Sequence, residues 1–137
     1  MSEPVNSTPD LAEAAFYDAF ARCDADAMRA IWAEQGAVCV HPGAAPIIGF
    51  EAVMRSWAHI FAGASPPLIE THVVQRIVED SLAVHVLEER ISTAAAPAER
   101  ARVMATNVYR RIGGQWRMVA HHGSALPVRR APARTLQ

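Results

Sequence analysis

The sequence predicts one α+β domain in which three N-terminal helices pack on an antiparallel sheet. Three observations carry that reading. Apolar residues recur at three and four residue steps in the first half of the 137-residue chain. From residue 68 onward the period changes to two, and the dipeptides Asp80-Ser81 and Gly113-Gly114 offer tight turns between the resulting strands. Helices first and a meander second is the order of elements in a segregated α+β layer architecture.

In the first helix Ala12, Phe16, Ala19, Phe20 and Cys23 form the apolar face, and Asp10 is placed to cap it. Asp24 caps a second helix that carries Met28, Ile31 and Trp32 and ends at Gln35-Gly36. Val38 to His41 reads as a short strand stopped by Pro42-Gly43, and Ile47-Ile48 as another brief extended piece. A third helix follows, with Phe50, Val53, Met54, Trp57, Ile60 and Phe61 on one stripe. Strands are expected at about 68–79, 82–92, 101–112 and 115–125, with residues 93–100 as the longest loop. The domain is expected to span 10–127, between a disordered lead at 1–9 and a flexible basic tail at 128–137.

The glycine turn fixes a register, and register sorts side chains onto faces. Pairing Ile112 with Gln115 sets Tyr109 opposite Met118, Asn107 opposite Ala120 and Ala105 opposite His122. Trp116, Met118, His122 and Ser124 then share a face with Asn107 and Tyr109, and this face is expected to be the concave one. Met104, Thr106, Val108, Val119 and His121 fall on the outer face. Its apolar character and arginine rim suggest a homodimer through the sheet. The same procedure at Asp80-Ser81 pairs His72 with Glu89 and Arg76 with His85, and periodicity buries Val84 and Val86 on the opposite face. Glu89 is kept as a cavity candidate on the ground that curved sheets bulge.

Composition closes several routes. The net charge is −1 and arginines are interspersed with acids, which leaves no basic stripe for nucleic acid. Apolar runs fall far short of the roughly 20 residues that cross a bilayer. The N-terminus has no signal-peptide pattern, so a cytoplasmic location is expected. There is no lysine anywhere, which excludes Schiff-base catalysis by that side chain. The two cysteines, Cys23 and Cys39, lie in apolar contexts and form neither a disulfide framework nor a zinc pattern.

The run Phe16-Tyr17-Asp18-Ala19-Phe20, Asp24, Met28, Ile31-Trp32, Cys39-Val40-His41-Pro42-Gly43, Gly49 to Val53, Ser56-Trp57 and Ile60-Phe61 resembles SnoaL-like proteins of the nuclear transport factor 2-like (NTF2-like) superfamily. Ala105 to Tyr109 and Gly114 to Val119 followed by His121-His122-Gly123-Ser124 resemble the closing hairpin of that family. The resemblance covers roughly residues 10–127. It implies a cone-shaped fold with a pocket between helices and curved sheet, dimers through the sheet, and members that include isomerases, cyclases and dehydratases alongside proteins without known activity. Ketosteroid isomerase is the informative relative. Its general base, an Asp before a Pro after the first strand, corresponds here to His41 before Pro42. Its oxyanion tyrosine corresponds to Phe16, which cannot donate a hydrogen bond, and its strand Asp corresponds to Asn107, which can.

The candidate catalytic residues are therefore His41, Asn107 and His122, with Phe16, Trp32, Trp57, Glu89, Tyr109, Trp116, Met118 and Ser124 as pocket lining. For each a structural role competes with the functional one. His41 suits a backbone hydrogen bond, the three tryptophans suit core walls, and His122 with Ser124 lacks the third member of a nucleophilic triad. A His41, His122 and Glu89 metal site has no local motif behind it, and no metal or cofactor is assigned. Two functions stay open. One is a cofactor-independent isomerase, dehydratase or cyclase acting on a small carbonyl-containing molecule. The other is a non-catalytic module that binds a small apolar molecule or associates with a second copy.

Overall fold

The computed structural model describes residues 6–63 and 65–127. The tail expected at 128–137 and the first five residues of the expected lead lie outside them. The rest of that lead is described, and the Asn6 carbonyl accepts the Trp116 amide at 2.7 Å. The elements are α1 Pro9–Arg22, α2 Ala25–Ile31, β1 Val38–Val40, β2 Ile47–Ile48, α3 Phe50–Ala62, β3 Pro67–Val78, β4 Leu82–Thr93, β5 Ala96–Ile112 and β6 Gln115–Ala125. Among the described residues six strands form one curved, open sheet in the order β2-β1-β6-β5-β4-β3, and three helices pack on it, an NTF2-like α+β fold. It is mixed where the sequence predicts antiparallel pairing throughout, because β1 runs parallel to β6 with Cys39 opposite His121. No helix among the described residues is long and apolar enough to cross a membrane.

Local chemistry accounts for the helix ends. Thr8 caps α1 in place of the expected Asp10, accepting the Leu11 amide on Oγ1 at 3.1 Å. Pro9 follows it at the first helical position, where its missing N–H costs nothing. Helix α1 stops at Cys23, whose left-handed φ of 53° turns the chain at once into α2, capped by Asp24 on the Ala27 amide at 2.9 Å. The loop expected at 93–100 is a tight turn at Ala94-Ala95, since Thr93 already pairs with Ala96.

Two β-bulges decide which side chains face inward. From the glycine turn the ladder runs as predicted as far as Tyr109 opposite Met118. Val119 then inserts as an extra residue, so Val108 pairs with Ala120, Asn107 with His121 and Thr106 with His122. The expected pairing of Asn107 with Ala120 and Ala105 with His122 is thereby shifted by one, which turns every later side chain of β6 to the opposite face. His121 is buried, while His122 and Ser124 are exposed on the convex side. Val119 itself, expected on the outer face, is 8% exposed.

The second bulge lies at Val74. Beyond it His72 pairs with Glu88 rather than Glu89, while Arg76 stays opposite His85. Periodicity chose the wrong face of β4: Ala83, His85, Leu87 and Glu89 are buried, and Val84 and Val86 lie half-buried on the convex side. The physical reason is that α1 supplies polar partners, Glu13 to Nδ1 of His85 and Tyr17 to Oε2 of Glu89, which lowers the cost of burying these two residues. Hydrophobicity alone cannot register such a partner.

The core sits between helices and sheet. Phe16 is fully buried at its centre, with ring contacts to Tyr17, Phe20, Trp32, Trp57 and His121 at centroid distances of 4.8–6.5 Å. Phe16→Ala is predicted to lower stability by about 3–5 kcal/mol in urea unfolding followed by far-UV dichroism. A loss below about 1 kcal/mol would show that Phe16 does not hold the helices to the sheet.

Candidate functional site

A buried hydrogen-bond chain crosses the concave side of the sheet. Tyr17 on α1 donates its hydroxyl to Glu89 Oε2 on β4 at 2.6 Å. Asn107 on β5 donates from Nδ2 to the Tyr17 hydroxyl at 2.9 Å, and its Oδ1 lies 2.6 Å from His121 Nδ1 on β6. An amide oxygen only accepts, so Nδ1 of His121 carries the proton in this arrangement. The donors then all point one way, from His121 through Asn107 and Tyr17, and end on the Glu89 carboxyl.

Burial sets the protonation of this chain. Glu89 is 2% exposed, and loss of solvation pushes its carboxyl up to about 7, against the opposing pull of the Tyr17 hydrogen bond. His121 is pushed down to about 3 by burial and by the nearby His41 and His122, so it is neutral at physiological pH. Burial and the Glu89 charge raise the Tyr17 phenol far above its usual range. Cys39 beside Glu89 is pushed up to about 12, chiefly by burial, and stays a thiol.

His41 flanks this chain. Its Nε2 lies 3.0 Å from Ser56 Oγ and 3.6 Å from Cys39 Sγ, and its ring packs edge-on against Trp57 at 4.9 Å. Ser56 donates to the Val53 carbonyl at 2.7 Å, so His41 Nε2–H donates to Ser56 and the ring orientation is fixed. Burial lowers its pKa. The Pro42 ring stands 3.2 Å from where a Gly123 Cβ would lie, so glycine lets the His41-Pro42 segment settle on the sheet.

Among the residues expected at the site, Asn107, Glu89 and Tyr109 come together on the concave face. Trp57 stands near them, its ring 5.8 Å from that of His121. Phe16, Trp32, Trp116 and Met118 are buried in the core behind them, and His41 is placed at its edge. His122 and Ser124 are not part of the group. Two residues escaped sequence reasoning. Tyr17 stands beside the expected Phe16, and its signal in the sequence is the polar helical face that Asp10, Glu13 and Tyr17 mark at three and four residue spacing. His121 was assigned outward because a bulge leaves no trace in hydrophobic periodicity. Among the described residues, no group of three or more His, Cys, Asp and Glu is arranged to hold a metal ion.

An apolar cleft of about 340 Å³ opens at the end of the same concave face, lined among others by Phe20, Phe61, Ile60, Pro67, Ile91 and Ala101. Phe20 follows Tyr17 by one helical turn, and Ile91 follows Glu89 by two strand positions on the same side of β4. Tyr17 and Glu89 are thus each one step along their elements from a residue that lines this cleft.

The SnoaL-like domain family matches residues 12–129. A protein from Thiobacillus denitrificans, proposed to be a calcium/calmodulin-dependent protein kinase type II association domain, is 39% identical with a TM-score of 0.86, over 91% of this chain and all of that one. A proposed dehydratase of the NTF2-like family from Streptomyces avermitilis is 31% identical with a TM-score of 0.78, over 88% of this chain and all of its own. A ketosteroid isomerase-like protein from Erwinia carotovora atroseptica, 17% identical over 87% of this chain and 94% of its own, shares the fold with a TM-score of 0.69. No curated protein matches the sequence. With the family match running over almost the whole described domain and two solved relatives above 30% identity, the chain belongs to the SnoaL-like domain family of NTF2-like proteins.

Proposed function

We propose that this domain takes a small, mainly apolar carbonyl compound into the cleft beside Phe20 and Ile91 and moves a proton on it with Glu89. The observation that carries this reading is the buried carboxyl of Glu89, raised to about 7 and, among the described residues, hydrogen-bonded at Oε2 by Tyr17. A carboxyl half-ionised near neutrality can both take and return a proton, which isomerisation and dehydration each require. Oε2 is held by the tyrosine, and Oε1 exchanges the proton. Asn107 and the neutral His121 hold the phenol in place. This assignment moves the acid/base role from His41 and His122 to Glu89. The dehydratase proposed for the Streptomyces avermitilis relative is consistent with it.

The test uses 2-tetralone, an apolar bicyclic ketone, and follows exchange of its α-protons for deuterium by NMR. The domain is predicted to accelerate exchange with an apparent pKa near 7, and Glu89→Gln to slow it by about 10²–10⁴-fold. Equal exchange in Glu89→Gln and the parent would contradict the proposal and leave a binding module.

A raised carboxyl also costs stability. Between about 4.5, the ordinary value, and about 7 the folded state binds more protons than the unfolded one, so stability falls as pH rises through that window. The full penalty above it is about 3 kcal/mol. Glu89→Gln keeps an acceptor for Tyr17 and removes the charge. It is predicted to raise the melting temperature at pH 8 and to leave it nearly unchanged at pH 4.5, as measured by calorimetry.

The second reading, association, rests on the convex face, where Val84, Val86, Met104, Val108 and Ala120 lie only half-buried. The name given to the 39% identical relative is consistent with it. On this reading two copies pack sheet to sheet. Light scattering is predicted to give a dimer at micromolar concentration and a monomer for Val108→Asp, which would bury an unpaired charge. A monomeric parent would exclude it.

A further inference from the structure

A second buried polar contact joins the same two elements as the first. Glu13 Oε1 on α1 lies 2.7 Å from Nδ1 of His85 on β4, and His85 is fully buried. The two pairs, Glu13 with His85 and Tyr17 with Glu89, are both separated by 72 residues in sequence, so helix and strand run in the same direction through two rungs. Asp10, Glu13 and Tyr17 lie on one face of α1. The first rung is braced from outside. Arg76 on β3 donates to Glu13 Oε2 at 3.1 Å and also meets Asp10 Oδ1 at 3.2 Å. Glu13 is thus held at both oxygens, and its carboxyl lies below its usual range despite burial because His85 and Arg76 favour the anion.

The rungs differ in what they tolerate. A helix fixed to a strand by one contact can still slide or rotate about it, and a hydrogen bond of 2.6 Å between a phenol and a carboxyl loses most of its strength if displaced by about an ångström. We propose that the Glu13–His85 contact, braced by Arg76, is a positioning clamp that sets the register of α1 on β4 and so keeps the Tyr17 hydroxyl on Glu89. Glu13, His85 and Arg76 are positioning residues here. The inference concerns the site named above but does not need that site to be catalytic, because its readout is the protonation of Glu89 itself.

The groups that face Glu89 are Tyr17 from α1, Cys39 from β1 and Tyr109 from β5. Only Tyr17 lowers its pKa by a hydrogen bond. Loss of that bond raises the Glu89 midpoint, whereas mere loss of the negative charge on Glu13 lowers it, so the two effects carry opposite signs. The experiment is a carboxyl ¹³C NMR titration of Glu89 in the full chain, compared across Tyr17→Phe, Glu13→Leu, Glu13→Gln and the double variant. Glu13→Leu is predicted to raise the midpoint in the direction of Tyr17→Phe. Glu13→Gln keeps an acceptor for His85 and is predicted not to raise it. The double variant is predicted to match Tyr17→Phe alone. A midpoint that falls or stays put in a folded Glu13→Leu, or additive shifts in the double variant, would overturn the clamp. Should Glu13→Leu fail to fold, Arg76→Gln, at an exposed position, is predicted to raise the midpoint in the parent and not in Tyr17→Phe, and a rise of equal size in both, as loss of charge alone would give, or no rise in the parent, would also overturn it. Failure of 2-tetralone exchange with these shifts intact would remove the catalytic reading and keep the clamp.

Discussion

The Tyr17–Glu89 hydrogen bond is the contact on which the concave face depends. A carboxyl with 2% exposure inside an apolar shell is tolerated only with a partner, and the partner comes from a helix rather than from the sheet. That bond ties α1 across β4. It also accommodates a carboxyl on the inward face of β4, and it passes through Asn107 to His121 on β6. Each group in the chain is satisfied by the next, which is the condition under which a polar network can replace apolar packing. The remaining interior is aromatic and surrounds the chain with low-dielectric material, and this is why the Glu89 and His121 protons are held so far from their ordinary values.

Those two shifts act in opposite senses. Glu89 ionises late, so stability is lost as pH rises toward about 7. His121, held neutral to about 3, takes up a proton more readily when unfolded, so its contribution is lost as pH falls from about 6.5 toward that value. Where the windows overlap they offset one another. A core designed for stability alone would contain neither group. Both are buried, His121 against the aromatic rings of Phe16 and Trp57.

The order of helices and strands, the glycine hairpin and the apolar faces of α1 and α3 were legible in the sequence because each rests on local periodicity. What periodicity cannot see is a residue inserted without a turn signal. Val119 and Val74 are β-branched and apolar, as strand residues should be, yet each is the extra residue of a bulge, and each reverses the faces on one side of it. The error at His121 and His122 is therefore one register step. The error at β4 has another cause: Val84 and Val86 outweigh His85 and Glu89 on any hydrophobic scale, and only the helix partners Glu13 and Tyr17 reverse the balance. Tyr17 was legible in principle from its spacing to Asp10 and Glu13. Family resemblance drew attention to Phe16 instead, a reminder that a fold shared with isomerases does not transfer their residues.

The concave face depends on the placement of His121 inside and on the direction of the donor chain that begins there. Both are read at once by ¹⁵N NMR of the histidine ring nitrogens as pH is varied. The placement predicts that His121 is the Nδ1–H tautomer and stays neutral from pH 8 down to about 4. A His121 ring that becomes imidazolium near its ordinary value, or that carries its proton on Nε2, would contradict the bulge, the chain and the site built on them.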